Sequence, residues 1–285
     1  MSTRSNESRF GAPREEAPPA APITGNNGLN FVVPTELVDL PSQGKFYPPD
    51  HVLYNVESVE MKHMTTREED ILTSESFVKK GVALDRMLES LLVDKRINID
   101  DLLIGDKNAL LIAARVHGYG ADYNTNISCP SCASRQTYTF DMGEVKHVFP
   151  DDEILREYDI TITTNSTFKF LVPKAEYNVE IKMLDGHYEK DLLRIKEHKK
   201  KKSFQSTETT DFLRSIIVSV NDVTDPAQLN QFINSLPALY SRYIRRVYDS
   251  LMPGVDMNLP FKCTACTYEG SMEVPLGVNF FWSRP

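Results

Sequence analysis

The sequence lacks the long apolar run that a membrane-spanning helix requires. No stretch of its 285 residues approaches ~18 consecutive apolar residues. The first residues, Met1–Asn6, also lack the apolar region of a secretory signal peptide. We therefore expect a soluble protein made in a reducing cytosol, where cysteines more often bind metals or act in catalysis than form disulfides.

Common enzyme motifs are also missing. The sequence contains no Gly-x-x-x-x-Gly-Lys, no Gly-x-Gly-x-x-Gly and no Gly-x-Ser-x-Gly, and its six histidines show no His-x-x-x-His spacing. We therefore predict a protein that is not an enzyme and has no small-molecule substrate. The formal net charge of −8 argues against a broad nucleic-acid surface, because nucleic-acid-binding domains are usually basic.

The composition favours a folded protein of mixed architecture. Hydrophobic residues make up 41% of the chain and charged residues 25%, which are ordinary values for a globular protein. Apolar stripes at helical spacing alternate with extended segments. We predict an α+β fold, with helical units around a small β region that holds a split four-cysteine, zinc-ribbon-like site, preceded by an extended N-terminal arm.

Composition and periodicity divide the chain into six segments. Residues 1–27 have almost no large apolar side chains, so burial cannot offset the entropy of ordering them, and we expect a flexible arm. The segments are 1–27, the arm; 28–64, extended and strand; 65–120, a helical unit; 121–174, a first zinc knuckle and β-hairpins; 175–254, a helical insertion; and 255–285, a second zinc knuckle and a C-terminal strand.

Local signals mark the starts of several helices. Side chains that accept a hydrogen bond from the first helical turn favour a start, and proline is favoured at the first helical position. The expected starts are at two overlapping capping boxes (Thr65 with Glu68, Thr66 with Glu69), at Asp106 as an N-cap, and at Asp225 before Pro226.

The four cysteines stand in two pairs with similar surroundings. Cys129 and Cys132 form one Cys-x-x-Cys pair, Cys263 and Cys266 form the other, and none is left over. Each pair lies in a turn between two extended runs, as in a zinc ribbon, where two hairpins present four thiolates to one tetrahedral ion. We predict about one structural Zn²⁺ per chain, because a closed shell of four cysteines leaves no open position for catalysis.

Other uses of the cysteines stay open at this point. A redox-active Cys-x-x-Cys usually opens a helix in a βαβ setting, which the sequence does not show, and the pairs could also be metal-free or disulfide-bonded. A zinc ribbon can bind nucleic acid, but the few basic residues near the pairs are offset by acidic ones. These are Arg135 and Lys262 against Asp122, Asp141 and Glu144. We therefore favour a ribbon that clips a small sheet together or serves a protein contact.

Two aromatic segments and one basic tract are further candidates for binding. Phe46 and Tyr47, and Phe281 and Trp282 near the C-terminus, fit partner-binding anchors, because aromatic side chains often anchor interfaces. The alternative is that both segments pack onto the protein's own core. The dense basic tract at 196–202 could bind a phosphate backbone or an acidic protein surface, or be the solvated end of a helix.

A string of local motifs carries a family resemblance. The motifs are Phe31–Pro48 (Phe-Val-Val-Pro-Thr-Glu-Leu-Val-Asp-Leu-Pro-Ser-Gln-Gly-Lys-Phe-Tyr-Pro), Met64–Thr73 (Met-Thr-Thr-Arg-Glu-Glu-Asp-Ile-Leu-Thr), Leu92-Val-Asp with Asp101–Lys107 (Asp-Leu-Leu-Ile-Gly-Asp-Lys), and Arg115-x-x-Gly-Tyr-Gly leading into Cys129-Pro-Ser-Cys132. Over residues 29–145, and more loosely over the remainder, the chain resembles the T4-type baseplate hub and hub-assembly proteins of contractile-tailed bacteriophages.

The resemblance implies a non-enzymatic structural component of a phage baseplate, in or near the hub. Such a component binds other baseplate and tail proteins and resides in the virion tail after assembly in the host cytoplasm. The resemblance also implies structural zinc at the four cysteines. The family includes assembly factors, so one alternative is a transient hub-assembly chaperone that is absent from the mature virion. A third hypothesis, of a different class, is a zinc-ribbon nucleic-acid-binding protein.

Overall fold

The structure is a computed structural model that describes residues 32–150, 152–192, 194, 207–274 and 280–281. It confirms the α+β fold: helices lie around several small antiparallel sheets. The predicted arm at residues 1–27 lies outside the described residues. Within them, no helix has both the length and the apolar character needed to cross a membrane.

The helices fall into an N-terminal group and a C-terminal group. They are α1 (Thr66–Thr73), α2 (Glu75–Lys80), α3 (Ala83–Leu91), α4 (Ile104–Tyr119), α5 (Asp152–Glu157), α6 (residues 186–192), α7 (Glu208–Ile216), α8 (Pro226–Ser235) and α9 (Ala238–Leu251). Short 3₁₀ turns cover Ile99–Asp101 and Met142–Glu144.

Twelve short strands accompany the helices in the described part of the chain. They are β1 (Thr35–Asp39), β2 (Ser58–Lys62), β3 (Asp122–Ser128), β4 (Arg135–Asp141), β5 (Lys146–Val148), β6 (Thr161–Ile162), β7 (Phe168–Val172), β8 (Tyr177–Ile181), β9 (Ile217–Val220), β10 (Gly254–Asp256), β11 (Asn258–Lys262) and β12 (Glu269–Glu273). One sheet has the order β6-β7-β8-β9, and the other strands pair as β1-β2, β3-β4, β5-β10 and β11-β12, all antiparallel.

Buried side chains form one cluster that runs through both groups of helices and the sheets. In α9 the buried residues repeat at i, i+3, i+4 and i+7, which places one apolar stripe against the core. In β7 buried residues alternate with Lys169 and Leu171, as expected for a strand with one face in the core. The same cluster includes Cys129 and Cys263, so the two cysteine turns are continuous with the core.

Two of the predicted helix starts are confirmed. At α1 the Thr65 side chain accepts from the first turn, and the Glu68 side chain accepts from the Thr65 backbone N–H at 2.9 Å, which completes the capping box. At α8 the Asp225 side chain accepts from the backbone of Gln228 at 2.9 Å, with Pro226 in the first turn.

Asp106 does not cap a helix, and this prediction was wrong. The helix α4 begins two residues earlier, and Asp106 lies fully buried in its first turn. Its carboxylate accepts from the backbone N–H of Ser42 at 2.8 Å, from the Ser42 hydroxyl at 2.6 Å and from the Tyr47 hydroxyl at 2.8 Å. Burial raises the pKa of Asp106, while these hydrogen bonds favour its ionised form. The Asp106 carboxylate therefore holds the segment between β1 and β2, which contains Ser42 and Tyr47, against α4.

The segment predicted as a helical insertion, residues 175–254, also contributes strands. β8 and β9 lie within it and complete the four-stranded sheet begun by β6 and β7. Periodicity alone cannot assign a short apolar run such as Ile217–Val220 to a helix or a strand. In the structure this run is a strand because it pairs with β8. The lysine tract in this segment lies outside the described residues.

Candidate metal centre

Two β-hairpins carry the two cysteine pairs at their tips. In the first hairpin the last strand pair is Ser128 opposite Arg135, and Cys129 and Cys132 lie in the turn between β3 and β4. In the second hairpin the last strand pair is Lys262 opposite Glu269, with Cys263 and Cys266 between β11 and β12. Each pair therefore directly follows a strand, as the similar flanking sequences predict.

The two turns repeat the same backbone hydrogen bond. The N–H of Cys129 donates to the carbonyl of Ser134, and the N–H of Cys263 donates to the carbonyl of Tyr268, both at 3.0 Å. In each turn the acceptor lies five residues after the first cysteine. The two knuckles are thus built alike, although they are far apart in the sequence.

Backbone N–H groups also point at the sulfur of the first cysteine in each turn. The N–H of Ser131 donates to Cys129 Sγ at 3.4 Å, and the N–H of Ala265 donates to Cys263 Sγ at 3.3 Å. Hydrogen bonds of this kind stabilise a thiolate and orient it toward a shared ligand. The backbone of each turn therefore holds the sulfur of its first cysteine by a hydrogen bond.

The four sulfur atoms gather in one small cluster. The Sγ atoms of Cys129 and Cys266 are 3.8 Å apart, as are those of Cys132 and Cys263, and all four lie within 4.8 Å of one another. A tetrahedral zinc ion with Zn–S near 2.3 Å requires sulfurs about 3.8 Å apart. A disulfide needs about 2.05 Å between sulfurs, so the cysteines are free thiols. The four sulfurs are therefore close enough together to hold one metal ion.

The pKa values within the cluster diverge. Burial opposes ionisation of Cys129, but the backbone N–H groups of Cys132 and Ser131 donate to its sulfur and lower its pKa to about 7. At Cys266 the backbone of Tyr268 favours the thiolate, yet burial and the neighbouring cysteine sulfurs outweigh it and raise the pKa to about 12. Four adjacent thiols cannot all ionise together without a cation, and a divalent ion would remove this conflict.

Aromatic rings and one amide hold the two hairpins side by side. The centroid of the Tyr138 ring is 4.8 Å from that of Phe140 in its own hairpin and 5.0 Å from that of Phe261 in the other hairpin. The backbone N–H of Thr264 donates to Gln136 Oε1 at 3.0 Å. Gln136 could not be predicted from the sequence, because no local pattern shows that a polar strand residue reaches the opposite knuckle.

The aromatic residues Phe46, Tyr47 and Phe281 lie in the core. Phe46 is 5% exposed and stacks 5.5 Å from Phe149, and Tyr47 is 2% exposed. Phe281 is also buried, whereas Trp282 lies outside the described residues. These positions agree with the alternative that both segments pack onto the protein's own core. Partner binding through these side chains stays a prediction that the structure does not test.

Arg115 is a further buried residue that links the first hairpin to the C-terminal segment. Its guanidinium donates to the carbonyl of Phe280 at 2.8 Å, to that of Gly120 at 2.7 Å and to that of Asp122 at 3.0 Å. Asp122 opens β3, which leads to Cys129. Arg115 therefore holds the start of the first hairpin against α4 and the C-terminal segment.

Comparison with known families gives one match. The family model described as T4 bacteriophage base plate protein matches residues 33–282, which include both hairpins and all four cysteines. No curated protein and no solved structure shows significant similarity to the chain.

Proposed function

Because the chain belongs to the T4 bacteriophage base plate protein family, we propose that it is a non-enzymatic structural component of a contractile-tail baseplate, at or near the hub. Membership of this family implies a place in the virion tail and contacts with other phage tail proteins. The observation that carries the proposal is the extent of the match. It runs from β1 through both cysteine hairpins to the C-terminal segment, so the whole described fold belongs to the family.

The four-cysteine cluster gives this component a metal-stabilised scaffold. Zn²⁺ bound there would supply a closed tetrahedral shell, which cross-links protein rather than activating water. Cys129 and Cys132 hold one half of the shell, and Cys263 and Cys266 hold the other. The backbone N–H groups of Ser131 and Ala265 orient one sulfur of each half. The residues between the hairpins then form one body with them, which suits a part that must keep its shape among neighbouring proteins.

The charge of the chain supports a protein partner rather than a nucleic acid. The chain has 40 acidic and 32 basic residues, and at the tip of the second hairpin exposed Lys262 pairs with Glu269. A nucleic-acid surface would show an excess of basic groups there. A zinc-ribbon nucleic-acid function predicts retardation of DNA or RNA at low salt that weakens steeply as salt rises. We expect no retardation.

Quantitative mass spectrometry of purified tails tests the proposal. Isotope-labelled peptides from α4 and α9 give the copy number of the chain relative to a known tail protein. A structural component is present at a fixed whole-number ratio that survives further purification of the particles. An assembly chaperone is present in infected-cell lysates and in hub intermediates made in the host cytoplasm, but absent from mature tails. That second result would overturn the structural assignment.

A further inference from the structure

Three side chains that are distant in the sequence meet beside the end of α4. Glu36 lies on β1, His63 follows the last residue of β2, and His117 lies in the last turn of α4. One carboxylate oxygen and one nitrogen from each imidazole lie within 4.8 Å of one another. The spacing of histidines in the sequence cannot show this cluster, because its members belong to three different elements.

Both imidazoles point the same nitrogen at the same carboxylate oxygen. Nε2 of His117 is 2.9 Å from Oε2 of Glu36, and Nε2 of His63 is 3.4 Å from it. The two rings are nearly parallel, with centroids 5.1 Å apart. Three donor atoms from different side chains therefore converge on one point.

Close packing fixes the two histidines side by side. The backbone N–H of His63 donates to the carbonyl of Pro34 at 2.9 Å, which holds it next to β1. The next residue, Met64, packs so tightly on Gly118 that a Cβ there would lie 2.9 Å from its sulfur. Because Gly118 directly follows His117, this contact keeps the two segments that carry the histidines close together.

We propose that Glu36, His63 and His117 form a second metal site, which binds a divalent transition-metal ion such as Zn²⁺ and is separate from the cysteine cluster. Two imidazole nitrogens and one carboxylate oxygen are a donor set that such ions favour. A tetrahedral ion with bonds of about 2.1 Å places its donors about 3.4 Å apart. The His63 to Glu36 distance already has this value, and the His117 to Glu36 distance has to open by about 0.5 Å.

The site differs from the cysteine cluster in its access to solvent. The Glu36 side chain is 50% exposed, so the fourth position of a bound ion faces water. A partner protein in an assembly could fill that position with a donor of its own. We assign binding to this site, and no reaction.

The surroundings of the His117 ring should weaken metal binding at this second site. Nδ1 of His117 is buried and has no hydrogen-bond partner among the described residues. Without an ion, the hydrogen of a neutral His117 ring sits on Nε2 and is donated to Glu36. An ion takes Nε2 and moves that hydrogen to Nδ1, where it meets no acceptor, and this opposes binding. We therefore expect weaker binding than at a closed four-cysteine shell.

The test uses the full chain with its cysteine site filled. The protein is saturated with Zn²⁺, passed through gel filtration, and titrated again with Zn²⁺ while calorimetry and the ¹⁵N signals of the histidine rings are recorded. We expect one further ion per chain, with shifts in the signals of His63 and His117. Glu36→Gln and His63→Gln should each weaken this binding at least tenfold, because each removes one ligand at nearly constant size.

His187 provides the matched control. Its Nε2 is 2.8 Å from Asp101 Oδ1, so it is an exposed histidine paired with a single carboxylate. His187→Gln should leave the second binding event unchanged. The inference is overturned if no further ion binds, or if Glu36→Gln and His63→Gln bind it as well as the unmodified chain. It is also overturned if His187→Gln weakens binding as much as they do. An unchanged far-UV circular dichroism spectrum and an unchanged urea midpoint with the cysteine site filled show that each variant is folded.

Discussion

Removing the cysteine-bound metal should destabilise the whole protein and not only the two turns that carry the ligands. The perturbation is the double substitution Cys129→Ser and Cys132→Ser, which takes both ligands from one hairpin. The matched control is Ser131→Ala in the same turn. The Ser131 side chain is exposed, and the backbone N–H that donates to Cys129 Sγ stays in place in this variant.

The expected loss of unfolding free energy follows from the length of chain between the two hairpins. Cys132 and Cys263 are 131 residues apart in sequence, although their sulfurs are 3.8 Å apart. An unfolded chain can hold zinc with one Cys-x-x-Cys pair, but using both pairs closes a loop of this length, which costs about 5 kcal/mol. The folded chain has already brought the pairs together. Zinc should therefore favour the folded state by about 5 kcal/mol, or on the order of 10–20 °C in Tm.

Urea unfolding followed by far-UV circular dichroism measures this difference. The unmodified chain and Ser131→Ala should lose about 5 kcal/mol of unfolding free energy when a chelator replaces saturating zinc. The double cysteine variant should start at the lower value and respond much less to the chelator, because only the weaker site at Glu36, His63 and His117 can still bind zinc. The reasoning is refuted if the chelator leaves the midpoint of the unmodified chain unchanged. A chelator response in the double variant equal to that of the unmodified chain would refute it as well.

Three further changes probe buried contacts within the fold. Glu68→Gln should cost about 1–2 kcal/mol in urea unfolding, because the carboxylate completes the cap of α1 and accepts from Ser90. Burial opposes ionisation of Glu68, yet these hydrogen bonds lower its pKa from 4.5. The stabilisation that the Glu68 carboxylate gives is therefore complete above pH 4.5 and is lost as the pH falls through the lowered pKa. Glu68→Gln should lack this acid dependence. Arg115→Met should cost roughly 3 kcal/mol or more, because it leaves buried carbonyls such as that of Phe280 without their donor; an unchanged Tm would contradict this. Gly105→Ala should lower Tm and raise chymotrypsin sensitivity near β10, because its Cβ would lie 1.9 Å from a backbone oxygen.

Local sequence signals predicted the features that a few neighbouring residues determine. The capping box at Thr65 and Glu68 and the start at Asp225 need only one helical turn, and both are found in the structure. The cysteine turns are also local, since each forms between two adjacent strands. Their convergence was inferred from similar flanks, and the sulfur distances agree with it.

The features that the sequence did not reveal depend on distant partners. The sequence predicted Asp106 as a helix cap because capping depends only on neighbouring residues. In the structure its carboxylate instead accepts from Ser42, 64 residues away. For Tyr47 the sequence left partner binding and core packing open, because nothing nearby shows that its hydroxyl donates to the buried carboxylate of Asp106. The meeting of His63 with His117 likewise requires β2 and α4 to be in place. Such pairings follow from the tertiary fold, and periodicity carries no information about them.

The central claim is that cysteines from two distant hairpins share one metal ion. Zinc-edge X-ray absorption of the full chain carrying His63→Gln, after gel filtration, measures the ligands of the tightly bound ion alone. We predict one zinc per chain with four sulfur ligands at about 2.3 Å. A shell with two sulfurs and two lighter atoms, or a chain without stoichiometric zinc, would contradict the claim.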